Sequence, residues 1–366
     1  MVIEQISVLN FKNIEQADLT FSPKINCFFG NNGMGKTNLL DALYYLSFTK
    51  NHTNLPDSQL ILHDKDFAVL QGSYLFEDGR KEEIYCGIRR KQRKIFKRNK
   101  KEYEKLSEHV GLLPVVMISP ADIELIQGGS EGRRKFVDMV ISQQDSSYLH
   151  ALIRYNKALL QRNFLLKEDK HNIDSSLFDI WDHQLVMAGE EIYRKRKEFM
   201  TVFFPIFRHF YEQLNQTNET IKLTYESQLH GADFSGLLFR RRERDQLLGY
   251  TSAGIHKDDF DFRLNDFLIR KIGSQGQNKT YLIALKMAQF DFFIQSGSSV
   301  PVLLLDDIFD KLDAQRVERI IKLVSQSRFG QIFITDTNRN YLDEILSESQ
   351  SDYKLFRVEN GQPVNI

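Results

Sequence analysis

Gly30-Asn31-Asn32-Gly33-Met34-Gly35-Lys36-Thr37 is the stretch that decides how this chain of 366 residues folds. An apolar run, Lys24-Ile25-Asn26-Cys27-Phe28-Phe29, precedes it, and over residues 38–46 apolar side chains follow at helical spacing. A buried strand that ends on a glycine loop and continues as a helix predicts an α/β fold. Glycines let the loop wrap so that its backbone N–H groups face phosphates. Beneath the loop, the helix N-terminus adds the positive end of its dipole. Lys36 has the reach for β- and γ-phosphates, and the Thr37 hydroxyl is placed to ligate Mg²⁺. Gly30, Asn31, Asn32, Gly33, Met34, Gly35, Lys36, Thr37 and Asn38 are the expected ATP contacts.

Such a loop needs an acidic partner, and Val302-Leu303-Leu304-Leu305-Asp306-Asp307 supplies one. It reads as a buried parallel strand emerging at two carboxylates. Asp306 would hold Mg²⁺, and Asp307 would orient the attacking water or take its proton. A third segment, Gly273-Ser274-Gln275-Gly276-Gln277-Asn278-Lys279, opens a helix over residues 277–295. Ser274 suits an N-cap, and Gly276 lets an anion approach the backbone.

Outward from these motifs, residues 2–11 alternate like a strand. Residues 67–76 and 82–90 read as a hairpin around Asp78-Gly79, with a further pair flanking residues 98–101. Their short connections imply antiparallel pairing. From residue 121 to 244 long helical patterns dominate (133–141, 148–167 and 178–210), and Pro205 is expected to break or kink the last. Strand texture returns at 259–269 and 331–335. The expected fold is an α/β ATPase head, a mixed sheet with an antiparallel subdomain, carrying an inserted α-helical lobe. Residues 1–118 and 245–366 would form the head, and 119–244 the lobe.

Lys plus Arg (49) balance Asp plus Glu (49), so attraction to a polyanion needs a local patch. The longest apolar stretch, residues 300–305, is far short of the roughly 20 residues that span a bilayer. The N-terminus lacks the order of a signal peptide. Cys27 and Cys86 have no partner at metal-ligand spacing and read as buried thiols. A cytoplasmic protein with no membrane partner is expected.

The order of the three motifs resembles the ABC-type ATPases of the SMC and DNA-repair group, and within it the RecF family. Further segments carry the likeness from end to end: Leu9-Asn10-Phe11-Lys12-Asn13, Ser119-Pro120-Ala121-Asp122-Ile123, Arg133-Arg134-Lys135-Phe136-Val137-Asp138, Gly254-Ile255-His256-Lys257-Asp258-Asp259 and Leu304-Leu305-Asp306-Asp307-Ile308-Phe309-Asp310-Lys311-Leu312-Asp313. The resemblance implies that two heads close face to face around two ATP molecules. Ser274, Gly276 and Gln277 would then face the γ-phosphate on the partner's Lys36, and Asp313 would belong to the loop crossing that interface. It also implies a slow, DNA-stimulated ATPase, with Lys36 and Asp307 catalytic and with Thr37 and Asp306 on the metal. The implied role is ATP-driven dimerisation on gapped or single-strand/double-strand junction DNA, helping RecR and RecO bring RecA to it. Three departures stand out. Asp307 occupies the position of the usual glutamate, Thr335-Asp336 replace the switch histidine, and the sensing glutamine is replaced around Ser119-Pro120.

Residues 89–101 hold nine Lys or Arg spread over a strand pair. They would either hold DNA phosphates or shield an edge strand from aggregation. Arg240-Arg241-Arg242-Glu243-Arg244 is mixed in sign and expected to pair with acids. His256 is expected in structural hydrogen bonds, and Trp181 and the helical phenylalanines in the core. Rival readings are an SMC-like head, an ATP-gated DNA-processing protein of another ABC-type subfamily, and a P-loop kinase. The kinase would leave Ser274, Gly276 and Gln277 without work.

Overall fold

In the computed structural model of the chain, the strand before the glycine loop is β3 (Ile25–Phe29) and the helix after it is α1 (Lys36–Phe48). The structure describes residues 1–168, 175–215, 219–297, 299–309, 312–326, 328–337, 343, 346–347 and 352–365. The chain divides into two compact units. The first comprises Met1–Ile123, His209–Gln216 and Gln275–Ile366, and the second Glu124–Arg208 and Thr217–Ser274.

The first unit holds two six-stranded sheets. One is antiparallel, built from β1 (Val2–Phe11), β2 (Ile14–Thr20), β4 (Phe67–Leu75), β5 (Lys81–Arg89), β6 (Ile95–Arg98) and β7 (Lys101–Glu102) in the order β2-β1-β4-β5-β6-β7. Buried and exposed residues alternate along β5, as expected for a sheet with one wet face. The other sheet joins β3 to β8 (Val115–Ile118), β12 (Val302–Asp306), β13 (Ile332–Asp336), β14 (Tyr353–Glu359) and β15 (Gln362–Asn365) in the order β15-β14-β3-β13-β12-β8. All its pairings are parallel except β14 with β15. Every residue of β8, β12 and β13 is buried, which explains why these strands read as continuous apolar runs. Helix α1 touches strands of both sheets and is buried almost all round, so it is apolar on every side. Phe21, Phe28, Phe333 and Phe356 cluster at the base of the mixed sheet. Two more helices, α8 (Gln275–Gln295) and α9 (Ala314–Val324), complete the unit.

The second unit is mainly helical, with most of the short α2 (Ile123–Gln127), α3 (Ser130–Gln144), α4 (Ser146–Leu165), most of α5 (Ser175–Leu214) and α6 (Phe234–Leu248). It also contains a three-stranded antiparallel sheet, β11-β10-β9, from β9 (Ile221–Glu226), β10 (Asp259–Leu264) and β11 (Phe267–Leu268). Residues 245–274 therefore belong to this unit and not to the ATPase head expected from residue 245 onward. The reason is register: β10 pairs with β9 along its whole length, from Asp259↔Glu226 to Leu264↔Ile221. The strand expected over 259–269 is a hairpin that ends at Leu268 and gives way to the short α7 (Ile269–Ile272). Pro205 does not end α5, which runs on to Leu214. Burial of Phe203, Ile206, Phe207 and Phe210 holds the helix together across the hydrogen bond that proline cannot donate.

Two arginines are wholly buried in this unit. Arg162 lies between Asp182 (2.5 Å) and Asp245 (2.7 Å). Arg196 lies between Asp138 (2.9 Å) and Asp258 (2.8 Å), and the Tyr225 hydroxyl donates to Asp258 at 2.6 Å. Arg133 pairs with Asp259 at 2.8 Å. The segments 133–138 and 254–259, far apart in sequence, thus meet as one ionic network. His256 is held by structural hydrogen bonds: Tyr155 donates to Nδ1 (2.8 Å), Nε2 donates to the Thr251 carbonyl (3.0 Å), and burial pushes its pKa down to about 4. Phe178, Phe199 and Phe203 are core as expected, whereas Trp181 is only half-buried and Phe164 and Phe239 are exposed.

Candidate nucleotide site

The loop from Gly30 to Thr37 leaves β3 with a backbone that only glycine adopts comfortably. Gly30 has φ +150°, and a Cβ there would stand 2.5 Å from the Val358 carbonyl oxygen. Gly35 has φ +104°, and its Cβ would meet the Asn13 side chain at 2.7 Å. Two hairpin tips grip the loop. From the β1–β2 tip, Asn13 accepts a hydrogen bond from Asn38 (2.7 Å), and Lys12 pairs with the buried Asp41 of α1. From the β14–β15 tip, Gly361 N–H donates to the Met34 carbonyl at 2.8 Å. Neither tip is marked as a site element by the motifs. Asn360-Gly361, with φ of 49° and 78°, is nevertheless a two-residue turn signal from which the second tip could be found.

A cavity of about 170 Å³ opens at the loop, lined by Asn32, Gly33, Gly35, Lys36, Thr37, Asn38, Asp306, Asp307 and Thr335. Loop and acidic strand therefore converge as anticipated. Thr37 Oγ1 donates to the Asp306 carboxylate at 2.9 and 3.0 Å, and Thr335 Oγ1 donates to the same carboxylate at 2.7 Å. Burial pushes the Asp306 carboxyl above its usual range, while these two hydroxyls pull it back. Lys36 Nζ donates to the carbonyls of Gly30 (2.6 Å) and Asn31 (3.0 Å). Burial lowers its pKa, and Asp307, Asp306 and Asp336 oppose that shift. Asp307 adopts φ +48°, with its N–H on the Thr335 carbonyl (3.2 Å) and hydroxyl (3.1 Å). Thr335 thus holds the Asp306 carboxylate with its hydroxyl and the Asp307 backbone N–H with its carbonyl and hydroxyl.

The donor set suits a hard cation. One hydroxyl and one carboxylate already meet, and phosphate oxygens and water would supply the rest, as Mg²⁺ prefers. Among the described residues no group of three His, Cys, Asp or Glu is placed to cage a metal by itself.

The family described as RecF/RecN/SMC N terminal domain matches residues 2–362. The DNA replication and repair protein RecF of Azobacteroides pseudotrichonymphae is 63% identical over 361 residues, covering 99% of this chain and 98% of the relative. That of Parabacteroides distasonis is 62% identical over 362 residues, with the same coverage. The chain belongs to the RecF family. Its fold is the ABC-type ATPase head of that family. A solved structure of the recombination mediator protein RecF-ATP in the RecFOR pathway superposes with a TM-score of 0.89 at 28% identity, covering 100% of this chain and 97% of that one. An Smc head bound to the C-winged helix domain of ScpA shares the fold alone, with a TM-score of 0.62 at 16% identity and coverage of 100% and 97%.

The remaining predicted residues lie elsewhere in this RecF-family chain. Gly276 and Gln277 sit in the first turn of α8, one and two residues past its start. Ser274 immediately precedes that helix, and Asp313 is the N-cap of α9. None of the four lines the cavity at Lys36. Asp310 and Lys311 of the acidic motif lie outside the described residues. Residues 119–122 form a capping box, with Asp122 accepting from Ser119 N–H at 2.8 Å. Asp122 is half-buried and also pairs with Lys286 (2.7 Å) and His52 (3.2 Å). Burial alone would raise its carboxyl, yet Lys286 and His52 hold it well below the usual range. The segment is thereby tied to α8 and serves as a brace there. Among the described residues no helix is long and apolar enough to cross a membrane.

Proposed function

We propose that this chain is an ATP-driven dimer switch that works on DNA during replication and recombinational repair. The observation that carries the reading is the separation of its two half-sites. Lys36, Thr37, Asp306 and Asp307 share one cavity, whereas Ser274, Gly276, Gln277 and Asp313 do not line it. A signature helix that does not line its own cavity finds work on a second copy. ATP then joins two chains, each loop holding the phosphates that the partner's Ser274 and Gly276 contact. Binding that exists only with the γ-phosphate shifts the population to the dimer, and hydrolysis returns it.

In this reading Lys36 holds the β- and γ-phosphates, and Asn38 and the loop backbone complete the cradle. Thr37 and Asp306 hold Mg²⁺, which supplies charge neutralisation to the phosphates. Asp307 orients water for in-line attack and takes its proton. An aspartate is one methylene shorter than the usual glutamate, which suits slow turnover stimulated by DNA. The relatives named for DNA replication and repair support DNA as the partner. The form we infer is gapped or junction DNA in the cytoplasm, with RecR and RecO as helpers in bringing RecA to it.

Lys36→Met tests the link between nucleotide and DNA. Binding to gapped, duplex and single-stranded probes is measured with and without ATP. The wild type is expected to bind the gapped probe more tightly with ATP, and Lys36→Met is expected to lose that gain. Equal ATP-dependent binding by the variant would separate DNA binding from this site.

A further inference from the structure

A cation that the family motifs do not explain lies against the signature helix. Arg316 belongs to the first turn of α9, three residues past Asp313. The Asp313 carboxylate accepts from Arg316 N–H (2.9 Å) as a cap and from Arg316 Nη1 (3.0 Å) as an ion pair. The guanidinium also lies against the signature glycine, since a Cβ built on Gly276 would stand 2.5 Å from Nη1. Any side chain at position 276 would therefore displace Arg316.

That placement is electrostatically uphill. The first turns of α8 and α9 are both positive ends of helix dipoles, where a cation is unfavourable. Among the described residues a single carboxylate, itself half exposed, offsets the charge. A polyphosphate brought to Gly276 would answer both dipoles and the guanidinium at once. Its oxygens also match the planar fork of donors that arginine presents.

We propose that Arg316 reads the γ-phosphate in trans. When a second copy brings its ATP to Gly276, the guanidinium exchanges Asp313 for a phosphate oxygen. Asp313 keeps its capping bond to α9. The chain thus supplies from α9 the sensing contact that Ser119-Pro120 and Thr335-Asp336 do not provide. This rests on the dimer reading above.

The test compares wild type, Arg316→Gln and Arg316→Lys by sedimentation with ATPγS, alongside binding of labelled ATP to the monomer. Monomer affinity should not change, because Arg316 is absent from the cavity at Lys36; it also reports that the variants fold. Arg316→Gln should need at least about tenfold more analogue to dimerise, with Arg316→Lys in between. Wild-type dimerisation by the glutamine variant would overturn the proposal while leaving the dimer reading intact. A wild type that stays monomeric would instead overturn the dimer reading on which it rests. A mixing experiment separates trans from cis. Wild type should associate with Lys36→Met, where Arg316 faces the only bound ATP, but not with a chain carrying Lys36→Met and Arg316→Gln together. Equal association of both mixtures would show that Arg316 does not act across the interface.

Discussion

Asp306 shows how the site trades stability for chemistry. A carboxylate held at 3% exposure between two hydroxyls is desolvated, and its pKa rises. A raised folded pKa means that the folded state binds the proton more tightly than the unfolded chain. Stability from this group is thus full below the unfolded pKa and lost as pH climbs through the folded one. Asp306→Asn keeps an acceptor for Thr335 and removes the buried charge. The variant should therefore melt higher than wild type at neutral pH, each 1 kcal/mol being worth roughly 1–2 °C at this chain length, and the gap should close on acidification. It should also lose Mg²⁺-dependent ATP hydrolysis. Thermal scans from pH 4 to 8 without nucleotide check this, and a lower melting point at every pH would show that the carboxylate stabilises the fold. The meeting of Lys36, Thr37, Asp306 and Asp307 at one cavity was legible in the sequence because each follows a local pattern. The contacts of Asn13, Thr335 and Arg316 were not, because they are made to neighbours distant in the chain, Asn38, Asp306 and Gly276, that no spacing rule encodes.

At the scale of elements, the basic hairpin β5–β6–β7 separates into structural and surface cations. Lys94 is committed to the Thr49 carbonyl, the Tyr45 hydroxyl (3.1 Å) and Asp57 (3.1 Å). Arg98 is committed to Glu82, buried at 4% exposure and held below its usual pKa by that pairing. Lys100 and Lys101 are exposed at the sheet edge, and Lys97 is partly exposed above the Tyr85 ring. Lys94→Ala should cost about 1–3 kcal/mol in denaturant unfolding, because it strands buried acceptors. Replacing Lys97, Lys100 and Lys101 by alanine should leave stability within about 0.5 kcal/mol. If this face holds duplex phosphates, the triple variant lowers the salt slope of DNA binding by about 0.9 for every phosphate it no longer neutralises. An unchanged slope would leave the lysines as edge protection. Long apolar strands and helices were readable from periodicity. The two-residue β11 was not separated from β10, nor was β8 read, because short strands have no period to detect and depend on their neighbours. The buried Arg162 and Arg196 were equally hidden, since a charge in a helical pattern normally marks the solvent face.

For the molecule as a whole, the proposed division of labour lies between two copies of the chain. One compact unit contains both the cavity at Lys36 and, outside its lining, the start of α8 and the cap of α9. The other unit runs to Ser274, and its β9–β10 pairing moves the boundary well past residue 245, the position suggested by texture. No composition change marks that point, because the segments on either side of it look alike in sequence. If ATP is a dimer switch, the signature must matter to association and not to the first binding step. The most direct measurement is sedimentation of the wild type and Ser274→Arg with and without a non-hydrolysable ATP analogue, paired with analogue affinity. The wild type should pass from monomer to dimer only with the analogue. Ser274→Arg should bind the analogue as tightly and remain a monomer. An analogue-bound wild type that stays monomeric, or a Ser274→Arg monomer that no longer binds nucleotide, would contradict a site completed by a second copy.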